Sequence, residues 1–454
     1  MTIRSYNPAD PADLVAEAPA PGAEAVEATV ARARAAQPGW VAAGAGGRSA
    51  ALTRIAEVVE AHAEELAALI VREVGKPAAE ARGEVARTAA IWRYYAQAPY
   101  AASGAVHETA AGPGLLLTRR RPYGVAGLIT PWNFPLAIPT WKAAPALAVG
   151  NTVVLKPSSE AIGCAKRLAE LVAEAGLPDD VFTVLPGGGA EGGTLVGAAD
   201  VVSFTGSTGV GKQVVRTATE RGTPVQAELG GLNAALVLPD ADFEQAAAHL
   251  AAAIAGYAGQ KCTATSRVIA VGEAYEPLRA ALVKALAQVD ETACGPVINA
   301  ASRDQITEAL ASAREAGAEV LAGGGVPDRA GWYLDPTLVA GVPDGHPLRR
   351  EEFFGPIAVL HAAADLDEAV ALANDTPYTL AASVHTRSLD VALAVADRLD
   401  AGMIRVNAPS SGVDFHLPFG GAKGASHGAR EQGEAALDFY TQGRTVTLLP
   451  AGGA

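Results

Sequence analysis

Apolar positions in the first hundred residues recur at helical spacing. Leu52, Ile55, Val58, Val59 and Leu66 fall on one side of Ala51–Val74, with acids on the other. Gly75-Lys76-Pro77 ends that stretch, because glycine admits a left-handed cap and proline cannot continue a helix. A second helix is predicted over Ala78–Tyr95 with Trp92 and Tyr95 on its packed face, so the whole region reads as helical. The pattern then changes. Gly112-Pro113-Gly114 signals a turn, and Leu115-Leu116-Leu117-Thr118 reads as a strand running into Arg119-Arg120-Arg121-Pro122. The arginine triplet fits a solvated or inter-subunit face.

Between Gly124 and Leu238, short apolar runs alternate with helical stretches. The strands are Val125–Ile129, Thr152–Leu155, Val181–Leu185, Val201–Phe204 and Ala234–Leu238; the helices include Ile162–Ala175 and Gly209–Arg221. This alternation predicts an α/β fold, a parallel sheet covered by helices, with ligands beyond the carboxyl ends of the strands. A strand at Arg267–Val271 and helices at Tyr275–Val289 and Ser302–Glu315 predict a second α/β unit. Asp438–Leu448 reads as a terminal strand suited to pairing with another subunit.

Composition narrows the function classes. A chain of 454 residues, half hydrophobic and 19% charged, can bury a large core in two or three domains. Its net charge of −14 disfavours nucleic acid, which needs a basic footprint. No apolar run is long enough to span a bilayer and no targeting signal stands at the N-terminus, so no membrane partner and a cytoplasmic location are expected. Cys164, Cys262 and Cys294 are too few and too scattered for a disulfide framework, and Cys294 reads as structural. The histidines lack paired spacing, so no metal site is expected.

Candidate chemistry gathers at the strand ends. Phe204-Thr205-Gly206-Ser207-Thr208-Gly209-Val210-Gly211 follows a strand and opens a helix, where glycines and free amides suit a pyrophosphate, although a tight turn would look the same. Lys156, followed by Pro157-Ser158-Ser159, ends another strand and could hold ribose or phosphate, or only cap the strand. Glu228, before Leu229-Gly230-Gly231, is either a desolvated general base or an ordinary strand-end acid. Asn133, framed by Pro131 and Pro135, could donate its amide to an oxyanion or merely cap a rigid turn. Glu352 and Phe354 could grip a ribose and back a planar ring, or be a surface acid beside a core aromatic. Cys262 follows Gly259-Gln260-Lys261; a lone cysteine is more often a small buried hydrophobe than a nucleophile, and Lys261 would lower its pKa.

Taken in order, these motifs together with Glu352-Phe353-Phe354-Gly355-Pro356 and Pro418-Phe419-Gly420-Gly421 resemble the aldehyde dehydrogenase superfamily over nearly the whole chain. The resemblance implies a Rossmann-like cofactor domain (residues 1–106 and 124–229), an α/β catalytic domain (230–430) and a β-hairpin oligomerisation element (107–123 and 431–454). It implies Cys262 as nucleophile, Asn133 and the Cys262 amide as oxyanion donors, and Glu228 as the base for hydrolysis. Cofactor contacts would come from Thr130, Pro131, Trp132, Lys156, Ser158, Ser159, Gly206, Ser207, Gly211, Leu229, Glu352 and Phe354. NAD-using relatives often carry glutamate where Ser159 stands, so NADP is expected alongside NAD and weakly favoured, with Glu160 next door as the complication. Pro135–Lys142 and Asn407–His416 are similar to the α-ketoglutaric semialdehyde dehydrogenase branch. A substrate tunnel of Phe134, Ile138, Trp141, Val413 and Phe419 would be mostly apolar, with no arginine evident for a substrate carboxylate. The implied reaction is NAD(P)-dependent oxidation of a small-molecule aldehyde to the acid by a homodimer or homotetramer. Alternatives are a general aliphatic or aromatic aldehyde dehydrogenase, a CoA-acylating relative, and a silent binding protein on the same scaffold.

Overall fold

A computed structural model describes residues 2–101, 103–110 and 112–450. Positions 1, 102, 111 and 451–454, which fall in the expected cofactor-binding and oligomerisation segments, lie outside the described residues. The chain does not begin with helices. Thr2–Asn7 and Asp10–Pro19 pair as an antiparallel hairpin, and Ile3 and Ala18 pack on Ile162. Its acids and prolines hid this separate two-stranded hairpin in the sequence.

Helices then span Gly22–Ala42, Gly44–Ala61, Ala63–Val74 and Ala78–Ala96. The stretch expected as one helix from Ala51 to Val74 is thus two, broken at His62, where φ is −103°. Gly75 takes the left-handed conformation (φ 66°) and closes the second of them, as the sequence predicts.

Two sheets organise the rest. The first has six strands in the order Ser426–His427, Val225–Glu228, Val201–Thr205, Val125–Ile129, Thr152–Lys156 and Phe182–Val184, parallel except at the first pair. The second has seven, in the order Glu319–Ala322, Thr337–Ala340, Ile357–Ala363, Thr265–Val271, Asn233–Val237, Ala381–His385 and Met403–Val406, again parallel except at the first pair. Strands such as Val125–Ile129, Val201–Thr205 and Asn233–Val237 are buried along their whole length because helices cover both faces. A third sheet joins Thr441–Leu448, Leu115–Pro122 and Val106–Glu108 in antiparallel fashion, and Arg119, Arg120 and Arg121 are exposed on it. The terminal strand begins only at Thr441. Gly433–Phe439 is a helix, and Ala436, Phe439 and Tyr440 pack into the core around the first sheet.

The Ala137–Ala148 helix is buried at every one of its positions, which its alanines and prolines permit and which places it at the centre of the molecule. Its entry is held from outside. Glu84 Oε1 accepts from the Leu136 and Ala137 amides at 2.9 and 3.0 Å, and Glu84 Oε2 accepts from the buried Lys76 ammonium. One carboxylate therefore caps the helix and neutralises a lysine that has no exposed side-chain surface. Glu84→Ala is expected to destabilise the protein by about 3–5 kcal/mol, because it leaves a buried cation unpaired and two helix amides unmatched. Denaturant unfolding of the variant measures this; an unchanged midpoint would contradict it.

Candidate active site

The two sheets present opposite ends of their strands to a common region. Asn133 follows the carboxyl end of one strand in the first sheet and Glu228 is the last residue of another, whereas Cys262 precedes the amino end of Thr265–Val271 in the second. The expectation that ligands meet carboxyl ends therefore holds for the first sheet only.

The cysteine segment is tightly held. Tyr257 and Ala258, with φ of 55° and 49°, form a left-handed turn with Gly259 (φ 65°). That conformation costs about 1–2 kcal/mol for each non-glycine residue. Surrounding bonds maintain it: Tyr257 Oη donates to the Val74 carbonyl at 3.1 Å, and Gln260 donates to Pro296 O and accepts from Ile298 N. Gly259 leaves no room for substrate. A Cβ there would stand 2.2 Å from the Gly355 carbonyl, so glycine serves the close approach of the Glu351–Pro356 segment. Asn233, which sequence reasoning did not single out, donates to the Cys262 and Ala264 carbonyls at 2.8 Å each.

Asn133 is buried and donates to the Gln260 carbonyl at 3.0 Å, which ties its amide to the cysteine loop; its Oδ1 has no partner among the described residues. Cys164 and Cys294 are buried, but Cys262 is partly exposed to a cavity of about 350 Å³. Of the five residues expected in a substrate tunnel, Phe134, Trp141, Val413 and Phe419 line that cavity. Ile138 does not. It lies on the wholly buried helix and belongs to the core. Burial pushes the Cys262 thiol well above its usual pKa, and the carboxylates of Glu352, Glu228 and Glu431 push in the same direction. Lys261 does not counter this, because its ammonium pairs with Glu80 at 2.9 Å.

Glu228 is 1% exposed and lies outside the lining of the cavity. Its Oε2 accepts from Ser426 Oγ at 2.5 Å, while Oε1 has no partner among the described residues. Burial, then the neighbouring Glu431, raises its pKa well above the ordinary carboxylate range. Glu431 itself joins a closed network, accepting from Lys142 and Ser203 at Oε1 and from Trp141 Nε1 at Oε2 (2.7 Å).

A second cleft of about 480 Å³ opens at the carboxyl ends of the first sheet. It is lined by Thr130, Pro131, Trp132, Lys156, Ser158, Ser159, Gly206 and Ser207, all eight expected from sequence. Gly187, Gly188 and Gly189 also line it; a glycine run between strand and helix was the signal that marked them. The chemistry fits a dinucleotide. The cleft meets the N-terminus of the Thr208–Glu220 helix, has no carboxylate among its lining residues, and contains a buried lysine. Lys156 donates to the Pro157 and Gly187 carbonyls, and burial lowers its pKa to about 8. Glu160 turns away to Asn299, whose Nδ2 donates to it at 3.0 Å.

Four expected cofactor residues are not on its lining: Glu352 and Phe354 line a separate pocket with Gly259 and Lys261, Leu229 lines another with Ser426 and His427, and Gly211 lines neither. Gly211 lets Leu229 pack close, since a Cβ would meet Leu229 Cδ2 at 2.1 Å. Phe354 packs edge-on against Trp132 with ring centroids 5.6 Å apart. Glu352 lies against Gly230, and burial raises its pKa to about 8.

Comparison with known proteins agrees with this geometry. The sequence profile described as "Aldehyde dehydrogenase family" matches residues 1–446. The chain is 39% identical over 463 aligned positions to alpha-ketoglutaric semialdehyde dehydrogenase of Bacillus subtilis, covering 99% of this chain and 95% of that one. It is 39% identical over 459 positions to the alpha-ketoglutarate semialdehyde dehydrogenase of Haloferax volcanii, covering 98% and 95%. Among solved structures, an NAD-dependent aldehyde dehydrogenase from Sinorhizobium meliloti superposes with a TM-score of 0.95 at 36% identity, covering 100% of this chain and 92% of that one. The NAD+ complex of a Bacillus cereus aldehyde dehydrogenase gives 0.95 at 34% identity, covering 99% and 93%.

Proposed function

The chain belongs to the aldehyde dehydrogenase family and is an NAD(P)-dependent oxidoreductase acting on an aldehyde; from that premise we propose that Cys262 is its nucleophile and a semialdehyde such as α-ketoglutaric semialdehyde its substrate. The observation that carries the first part is that Cys262, alone of the three cysteines, opens onto a cavity. The names of the two semialdehyde dehydrogenases support the second.

In this reading Cys262 adds to the aldehyde carbon as its thiol proton passes to a base. Asn133 Nδ2 and the Cys262 amide donate to the oxygen that becomes an oxyanion, a contribution worth ~10²–10³ in rate for one such donor. A bound nicotinamide supplies the hydride acceptor, and Lys156, Ser158, Ser159, Gly206 and Ser207 would hold its dinucleotide. Glu228 then deprotonates water, which cleaves the thioester on Cys262 and frees the acid. To do so its carboxyl leaves Ser426 and turns toward the sulfur.

NADP is accepted and weakly favoured in this proposal. Ser159 lines the cleft, Glu160 is held by Asn299, and no lining carboxylate repels a 2′-phosphate. The test is an aldehyde panel run with both cofactors and read by reduced-nicotinamide absorbance. Failure to use NADP would sink the cofactor reading, and strict dependence on CoA would replace hydrolysis with acyl transfer. Residues 107–123 and 431–454 are proposed as the oligomerisation element of a homodimer or homotetramer, because Leu115 and Leu448 are exposed on the three-stranded sheet. Light scattering reads the assembly directly, and a monomer would refute it.

A further inference from the structure

The substrate cavity contains a charge for which no apolar aldehyde has a use. Glu80, Gly83, Glu84 and Arg87 recur at helical spacing along Ala78–Ala96 and all line the cavity with Cys262. Three of the four charged lining residues are already matched. Glu80 pairs with Lys261 at 2.9 Å, and Glu84 is taken by Lys76 and two helix amides. Arg87 is different. Among the described residues its Nε is enclosed without a partner. Burial lowers its pKa, and Asp414 and Glu84 act on it through space only. The remaining wall includes the apolar faces of Phe134, Trp141, Val413 and Phe419.

A guanidinium presents a fixed fork of donors that matches a carboxylate in two parallel bonds. Leaving that fork half-desolvated and unpaired is costly unless a ligand completes it. We propose that Arg87 determines specificity by holding a carboxylate at the end of the substrate remote from the aldehyde, so that the cavity selects semialdehydes of dicarboxylic acids. The inference rests on the reading that this cavity delivers aldehyde to Cys262.

The test compares α-ketoglutaric semialdehyde with pentanal in wild type, Arg87→Met and Arg87→Lys. Arg87→Met is expected to lower kcat/KM for the semialdehyde by about 10²–10³-fold, the scale of losing one member of a desolvated charge pair, chiefly through KM. Pentanal turnover stays within a few-fold of wild type and reports an intact fold, and Arg87→Lys recovers part of the loss. Glutarate is also expected to slow alkylation of Cys262 by iodoacetamide in the wild type and not in Arg87→Met. An Arg87→Met enzyme that keeps its preference for the semialdehyde, or loses both substrates equally, overturns the inference. A wild type that oxidises pentanal as well as the semialdehyde also overturns it, while leaving the proposed function intact. Oxidation of no aldehyde at all overturns both.

Discussion

Replacing Cys262 with alanine is expected to lower NAD(P)-dependent aldehyde oxidation by about 10⁵–10⁶-fold, the scale reached when a covalent nucleophile is removed. The substitution deletes one partly exposed sulfur and leaves the loop's anchors at Tyr257, Gln260 and Asn233 in place, so the variant should melt like the wild type. The same residue sets the direction of the pH profile. Burial and three nearby carboxylates raise the thiol pKa, so the thiol is protonated at neutral pH. The base Glu228 is raised as well. Each group is productive only after losing its proton, so kcat/KM should climb as pH rises from mildly acidic to alkaline buffer, with no falling limb from either group. Wild-type turnover by the alanine variant, or a profile that falls with rising pH across that range, would remove Cys262 from the mechanism.

The second large effect is expected at Glu228. Glutamine matches the carboxylate in shape and can keep the contact with Ser426, but it cannot take a proton from water. Steady-state turnover of Glu228→Gln should drop by ~10²–10⁴, the range for a lost general base. The first turnover should behave differently. Oxidation precedes hydrolysis, so a burst of reduced nicotinamide close to one per active site is expected, with the acyl group retained on Cys262 and visible as added mass on the intact protein. An unaltered steady state would show that hydrolysis does not need this carboxylate. Loss of the burst as well would place Glu228 earlier, as the group that takes the thiol proton.

Much of this was legible in the residues. Strands such as Val125–Ile129 announced themselves because a doubly covered strand must be apolar along its length, and the two sheets followed. The dinucleotide cleft was legible because its parts are local: a strand end, glycines and a helix start lie within a few residues of one another. What escaped depends on distant partners. Lys261 looked like a neighbour of the thiol, yet Glu80 takes its ammonium. Ile138 stands near Trp141 in sequence, but only the packing of its helix decides which of them reaches the cavity. Arg87 and Asn233 carry no motif of their own; the structure singles them out by where they lie relative to Cys262. The N-terminal hairpin was missed because Ser5 is buried and Asp13 half-buried while Tyr6 and Leu14 are exposed, which breaks the period-two alternation of apolar and polar residues.

The Ser426–His427 strand crosses from the far end of the chain to pair with Val225–Glu228 in the first sheet. Ser426 brings the only side-chain hydrogen bond to Glu228 among the described residues, and Glu431 brings the counter-charge to Lys142, so both buried groups wait for residues made about 200 positions after Glu228. On the ribosome this has a temporal meaning. A nascent chain can already own its cysteine, its amide donor and its dinucleotide cleft while its base and central lysine are unmatched, so competence arrives only once Glu431 has been made. Cutting the gene between the two sheets would therefore separate each half from a piece of its own interior, and neither fragment would be an enzyme until the other supplied it.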